Sequence, residues 1–192
     1  MGAAANDAGL GLARPPTARV FFALWPEAAL QRELGRRARA IERASGGRAT
    51  RTENIHLTLV FLGDVPVARL PDLCAAAGGV TGEPCALALD RLGYWKHNRI
   101  AWAGTSAMPP PLAALVAGLE ASLAAAGFAF DRRPYVPHIT LVRQARAAEP
   151  ARFDRLDWPC REFVLVQSAR DAQGARYEII GRWGLAGAGP SR

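Results

Sequence analysis

The chain has 192 residues, half of them hydrophobic and 21% charged, a composition suited to a soluble globular protein of one compact domain or two small lobes. No apolar run is long enough for a membrane-crossing helix, and Cys74, Cys85 and Cys160 have neither CxxC spacing nor an even count, which argues against a disulfide framework or a zinc module. The net charge of +7, from 24 basic and 17 acidic residues, favours a polyanion such as nucleic acid, although Lys96 is the only lysine and high-GC coding produces an arginine bias unaided.

Residues 1–17 are rich in Ala and Gly and lack a basic stretch leading into an apolar one, so a disordered segment is expected there rather than a signal peptide. Arg19 to Leu24 is an aromatic and β-branched run that predicts a buried strand, and Trp25-Pro26 leads from it into a helix. That helix runs from Glu27 to about Ser45, with Leu30, Leu34, Ala38 and Ile41 at helical spacing and arginines on its other faces, and Gly46-Gly47 stops it. Asn54 to Leu62 reads as a second strand closed by a Gly63-Asp64 turn, and Pro66 to Ala77 as a second helix.

Alternation returns over Cys85 to Leu92, with Ile100 to Ala103 as the hairpin partner across a loop from Gly93 to Arg99. That loop holds Tyr94, Trp95, Lys96, His97 and Arg99, a mixture that stacks on bases and contacts phosphates; a hairpin packing its own aromatics is the plain alternative. Pro109 to Ala126 carries Leu112, Leu115, Val116, Leu119 and Leu123 on one helical stripe, ended by Gly127. Phe163 to Ser168 and Ala175 to Trp183 form a final hairpin through Asp171 to Gly174, and residues 186–192 read as a flexible tail.

The most informative feature is a near-repeat. His56-Leu57-Thr58-Leu59-Val60 is followed by His138-Ile139-Thr140-Leu141-Val142, 82 positions later (138 minus 56), in a chain with only three histidines. In an extended strand, residues two apart share a face, so His56 with Thr58, and His138 with Thr140, present an imidazole and a hydroxyl on one side while the leucines and Ile139 face a core. A titratable imidazole beside a hydroxyl donor, presented twice, suits acid/base chemistry on an anionic group. Each half of the chain also has strands and a helix around its motif. This order predicts an α+β fold by internal duplication, two lobes offering one motif strand each to a shared cleft within a single domain over 18–185.

At these residues the chain resembles the two-histidine phosphoesterase superfamily, and within it the RNA 2′,3′-cyclic phosphodiesterases, also called 2′,5′ RNA ligases. The likeness runs from about Arg19 to Trp183 and rests on Phe-Phe-Ala-Leu-Trp-Pro at 21–26, Glu-Asn-Ile-His-Leu-Thr-Leu-Val-Phe-Leu-Gly at 53–63 and Pro-His-Ile-Thr-Leu-Val-Arg at 137–143. A proline common in the family before the first Glu-Asn is Thr52 here. The resemblance implies a bilobal pseudo-twofold architecture, two antiparallel sheets with outer helices around a central cleft, and a reaction that uses neither metal nor other cofactor.

It further implies His138 as general base, His56 as general acid, Thr58 and Thr140 as donors to the non-bridging phosphate oxygens, and Arg143 as a phosphate ligand. Tyr94 and Trp95 join them as candidate substrate-binding residues. Ordinary histidine titrates near 6.5, so one imidazole neutral and the other protonated is attainable near neutral pH. The expected partner is an RNA end or nucleotide bearing a 2′,3′-cyclic phosphate, acted on by a monomer in the cytoplasm away from membranes. Ligation of tRNA-like halves through a 2′,5′ linkage is the same chemistry with a ribose hydroxyl in place of water. A non-catalytic RNA-binding module would need only the charge and the aromatic loop. A three-histidine metal site lacks supporting spacing, and His97 is expected to be structural or solvent-exposed.

Overall fold

The computed structural model describes residues 15–146, 153–171 and 174–186; the N-terminal segment before Pro15 and the tail after 186 lie outside the described residues. In chain order the elements are β1 (Thr17–Leu24), α1 (Ala28–Ser45), β2 (Arg48–Ala49), β3 (Leu57–Pro66), α2 (Leu70–Gly78), β4 (Cys85–Leu89), β5 (Arg91–Trp95) and β6 (Ile100–Gly104). There follow α3 (Pro110–Ala125), β7 (His138–Arg143), β8 (Leu156–Cys160), β9 (Glu162–Asp171) and β10 (Gly174–Gly184). The fold is α+β. One sheet has the order β10-β9-β1-β3-β7-β6-β5, with β2 added alongside β7, and a second consists of β4 and β8.

The large sheet falls into two halves that touch at one residue pair. β3 and β7 are antiparallel and meet only at Leu57 opposite Ile139. These two residues are 82 apart (139 minus 57), the same offset as the histidines, so a local twofold axis through this pair carries one motif onto the other. The two lobes are thus related by the register of a single strand contact, and their sheets diverge on either side of it.

The face carrying Leu57, Leu59, Ile139 and Leu141 is fully covered, and these residues join one core with Leu34, Ala38, Leu112, Leu115, Leu119 and Leu123 from the helices. Each fully buried leucine or isoleucine contributes roughly 1.5–3 kcal/mol. The support is crossed: α1 packs beneath β7 and α3 beneath β3, so each motif strand rests on the helix of the other half. With one sheet face filled by helices, the His/Thr face is left open as the cleft.

Three expectations are corrected. β3 begins at Leu57, after a 3-10 turn at Thr52–Asn54, and continues through Gly63-Asp64 to Pro66. Gly63 (φ 76°) is not a hairpin turn; it sits where the β1 register jumps from Gly63 to Phe61, a bulge that pairing with β1 carries through. The Cys85–Leu92 run is divided at Asp90, whose carboxylate accepts bonds from the Ser106 amide (2.7 Å) and hydroxyl (2.6 Å). Its first part therefore leaves to pair with β8, an element the sequence pattern did not reveal. The hairpin is β5 with β6, and its loop contracts to residues 96–99.

Candidate active site

A second irregularity, used twice, shapes the cleft. Along β3 the partners on β1 run from Val60 (opposite Phe22) directly to Thr58 (opposite Ala23), which leaves Leu59 as an extra residue. Along β7 the partners on β6 run from Val142 (opposite Ala101) to Thr140 (opposite Trp102), which leaves Leu141 extra. Leu59 and Leu141 are themselves 82 apart, so the bulge is part of the duplication. An extra residue reverses the inward and outward alternation beyond it. Val60 and Val142 are consequently buried, whereas Phe61 and Arg143 turn into the cleft beside the His/Thr pairs. Regular alternation would have aimed Arg143 at the core.

His56, Thr58, His138, Thr140, Arg143 and Trp95 all line one cavity of about 500 Å³. The register at Leu57 and Ile139, continued one residue each way, sets His56 toward Thr140 and Thr58 toward His138, so the imidazoles stand on a diagonal with hydroxyls at the other corners. Among the described residues the protein engages neither threonine hydroxyl. The backbone on either side is pinned: the Thr50 hydroxyl donates to the Thr140 carbonyl (2.9 Å), and the Tyr135 hydroxyl donates to the Thr58 carbonyl (3.3 Å).

Both imidazoles are held in the same way. Nδ1 of His56 lies 2.6 Å from the Asn54 carbonyl oxygen, and Nδ1 of His138 lies 2.8 Å from that of Val136. A carbonyl can only accept, so each Nδ1 carries a proton, and in the neutral ring Nε2 keeps its lone pair. Asn54 is itself buried and anchored, its side-chain amide donating to the Ala175 carbonyl at 2.8 Å. The carbonyl that orients His56 is therefore tied to β10.

The rings differ in their surroundings. His56 is stacked on Trp25 (centroids 5.4 Å apart, planes 8° apart), tilted against Phe21 at 4.8 Å, and met edge-on by Tyr177 at 5.2 Å. Among the described residues His138 has one aromatic neighbour, Trp95, edge-on at 4.5 Å. Burial in this setting pushes the His56 pKa down to about 4, against a raising effect of the Asn54 carbonyl, with Arg143 and His138 lowering it further. His138 is also lowered, by burial first and then by Arg143 and Arg133, while the Val136 carbonyl opposes the shift. Against the expected pair of one neutral and one protonated imidazole, desolvation penalises the charged form of each ring and shifts both toward the neutral form.

Tyr94 is not brought to the site. Alternation along β5 turns it away from the face that Trp95 shares with the cleft, and its hydroxyl donates to the Ala145 carbonyl at 2.9 Å while its ring packs on the core. His97 is exposed and reaches the cavity rim, 6.4 Å from the Trp95 ring. The cavity also includes Arg48, Asn54, Phe61, Arg133, Tyr135 and Tyr177, none singled out from the sequence. Phe61 alone had a readable signal, since it occupies the repeat position that Arg143 occupies in the second copy.

Known proteins share this sequence pattern and fold. A family model described as LigT-like phosphoesterase matches residues 24–102 and 104–177. The RNA 2′,3′-cyclic phosphodiesterase of Escherichia coli is 31% identical over 169 residues, covering 87% of this chain and 96% of that protein. The protein of the same name from Thermus thermophilus is 28% identical over 180 residues, covering 88% and 91%. The crystal structure of E. coli LigT complexed with 3′-AMP superposes with a TM-score of 0.81 at 30% identity, over 88% of this chain and 99% of that one. The same protein complexed with phosphate gives 0.75 at 29% identity, over 88% and 98%.

Proposed function

The chain belongs to the LigT-like phosphoesterase family, and from that premise we propose that it hydrolyses terminal 2′,3′-cyclic phosphates of RNA to 2′-phosphomonoesters by acid/base catalysis between its two motif histidines, without a metal. The observation that carries the reading is the pair of imidazoles in one cavity, each with Nδ1 tied to a carbonyl two residues back and each beside a threonine hydroxyl. The reading takes residues 18–185 as one catalytic unit, acting as a monomer in the cytoplasm.

His138 accepts a proton from water at Nε2 as the water oxygen bonds to phosphorus. His56 gives the Nε2 proton of its imidazolium to O3′ as the phosphorus–O3′ bond breaks, which leaves the phosphate on O2′. Thr58 and Thr140 donate to the non-bridging oxygens, and Arg143 places a fixed positive charge beside them as negative charge builds. That cation and those donors supply the stabilisation that a metal ion provides elsewhere. Burial holds His56 toward its neutral form, and its acid proton is taken up from solvent as the substrate binds, because the anionic phosphate favours the imidazolium. In-line geometry puts water and leaving oxygen on opposite sides of phosphorus, so roles assigned to unlike histidines fix the product.

The test is to incubate the purified protein with an RNA ending in 2′,3′-cyclic phosphate in the presence of EDTA, and to identify the monoester by phosphorus NMR. The expected result is a 2′-phosphomonoester as nearly the sole product. An RNA left unopened, or opened only on adding a divalent cation, sinks the reading; a substantial 3′-phosphate fraction would reverse the acid and base assignment.

A further inference from the structure

The reacting phosphate, on the reading above, occupies the His/Thr diagonal with Arg143 beside it, and the rest of the row of cleft residues that runs through Arg143 is left without a task. Arg48 of β2 lies directly opposite Arg143 of β7, Arg143 lies opposite Ile100 of β6, and Ile100 lies opposite Trp95 of β5. Directly opposed residues share a sheet face, and all four line the cavity. They form a continuous row across three strand boundaries: two guanidiniums, an aliphatic side chain and an indole.

The charge in this row is uncompensated. Like charges directly opposite on neighbouring strands destabilise a sheet. Among the described residues neither Arg48 nor Arg143 has a carboxylate within ion-pair distance. Glu42, the acid beside β2, accepts a hydrogen bond from the Ala49 amide at 2.9 Å. The acids of the cavity lining stand elsewhere: Asp131 is paired with Arg133, and Glu120 belongs to α3. An arrangement that costs stability and lacks an internal counterion suits an external anion.

The end of the row is held by the backbone. Arg99 and Gln144, which precede Ile100 and follow Arg143, adopt left-handed φ of 57° and 58°. Here the Ala145 amide donates to the Arg99 carbonyl at 3.0 Å and the Arg99 guanidinium donates to the Gln144 carbonyl at 3.2 Å. Non-glycine residues in this region are uncommon, and two in contact hold the β5–β6 hairpin against the end of β7.

We propose that Arg48, Arg143, Ile100 and Trp95 form a subsite for a second nucleotide next to the one bearing the reacting phosphate, with its phosphodiester on Arg48, Arg143 standing between the two phosphates, and its base against the indole. The proposal rests on the functional reading above and deepens it: it assigns residues to the nucleotide adjoining the reacting one and makes Arg48 a determinant of preference for it. Guanidinium is suited to the phosphodiester, and indole supplies a sequence-tolerant face for a base. The second nucleotide has two possible sources. It precedes the cyclic end in the same strand, or it begins a strand that approaches with a free 5′-hydroxyl from the His138 side.

The experiment compares wild type, Arg48→Gln and Arg48→Lys on adenosine 2′,3′-cyclic phosphate and on the adenylyl dinucleotide ending in the same cyclic phosphate. It also measures inhibition of mononucleotide hydrolysis by ApA, which has a free 5′-hydroxyl and no cyclic end. Arg48 is exposed, so its replacement leaves the core intact. A charge-assisted contact to phosphate predicts that Arg48→Gln lowers the dinucleotide-to-mononucleotide ratio of kcat/KM, or weakens ApA inhibition, by about tenfold, with Arg48→Lys recovering much of the loss. The first effect identifies a same-strand nucleotide and the second an approaching strand. An unchanged ratio together with unchanged ApA inhibition overturns the subsite. If wild type opens neither cyclic phosphate, the functional reading fails instead, and ApA quenching of tryptophan fluorescence, expected to be lost in Arg48→Gln, still decides the subsite.

Discussion

The cradle around His56 predicts a measurable acid sensitivity of the fold. The perturbation is protonation of this one ring. Its pKa falls from 6.5 to about 4 on folding because Trp25, Phe21 and Tyr177 exclude water from it. A histidine lowered on folding binds its proton more readily in the unfolded chain, so stability rises with pH wherever the unfolded state holds more protons. The loss therefore begins as pH falls through 6.5, grows until about 4, and stays constant below that. Its full size is about 3.4 kcal/mol, from 2.5 units at about 1.36 kcal/mol each. Between pH 7 and pH 5 the same linkage gives about 2 kcal/mol. Urea unfolding of wild type and His56→Gln at both pH values isolates this ring from His138, which both proteins retain. Wild type should lose about 2 kcal/mol more than the variant on going to pH 5. Equal losses would mean that the folded protein lets His56 charge freely, and the argument from its aromatic enclosure would fail.

Four further outcomes are expected. His138→Ala should lower kcat on a cyclic-phosphate RNA by roughly 10² to 10⁴-fold with a thermal midpoint close to wild type, and near-full turnover would remove it from the mechanism. Thr140→Val, which keeps the shape and deletes the hydroxyl, should lower kcat about 10²-fold with less effect on KM, as steady-state kinetics will tell. Tyr94→Phe should cost about 1 kcal/mol in denaturant unfolding through the lost bond to the Ala145 carbonyl, with kcat/KM unchanged; a fall in kcat/KM would return Tyr94 to the site. Gly93→Ala should destabilise by about 1–3 kcal/mol in the same assay, because a Cβ there runs into the ring of buried Trp102; a neutral result would show that this ring can move.

Local pattern carried much of this protein. Period-two alternation through His56-Leu57-Thr58-Leu59 and His138-Ile139-Thr140-Leu141 was enough to separate a chemical face from a core face, and the 82-residue repeat was enough to imply paired lobes. The stripes of α1 and α3 were equally legible, since a helix closes its hydrogen bonds within itself and shows its buried face at 3.6-residue spacing. Strand partners have no such local record. Nothing in Cys85 to Leu92 indicates that Asp90 is captured by Ser106 and that Cys85–Leu89 departs to pair with Leu156–Cys160. The paired bulges at Leu59 and Leu141 are likewise invisible in the sequence, because they exist only against β1 and β6. Yet they decide which side chains reach the cleft. Residue types and their alternation were sufficient to name His56, Thr58, His138 and Thr140, while the aim of Phe61 and Arg143, the union of Arg48 with Trp95 in one row, and the enclosure that lowers His56 depend on registers between strands distant in the chain. Those registers are settled only when the whole sheet pairs, because each one-residue shift along a strand turns every later side chain to the opposite face.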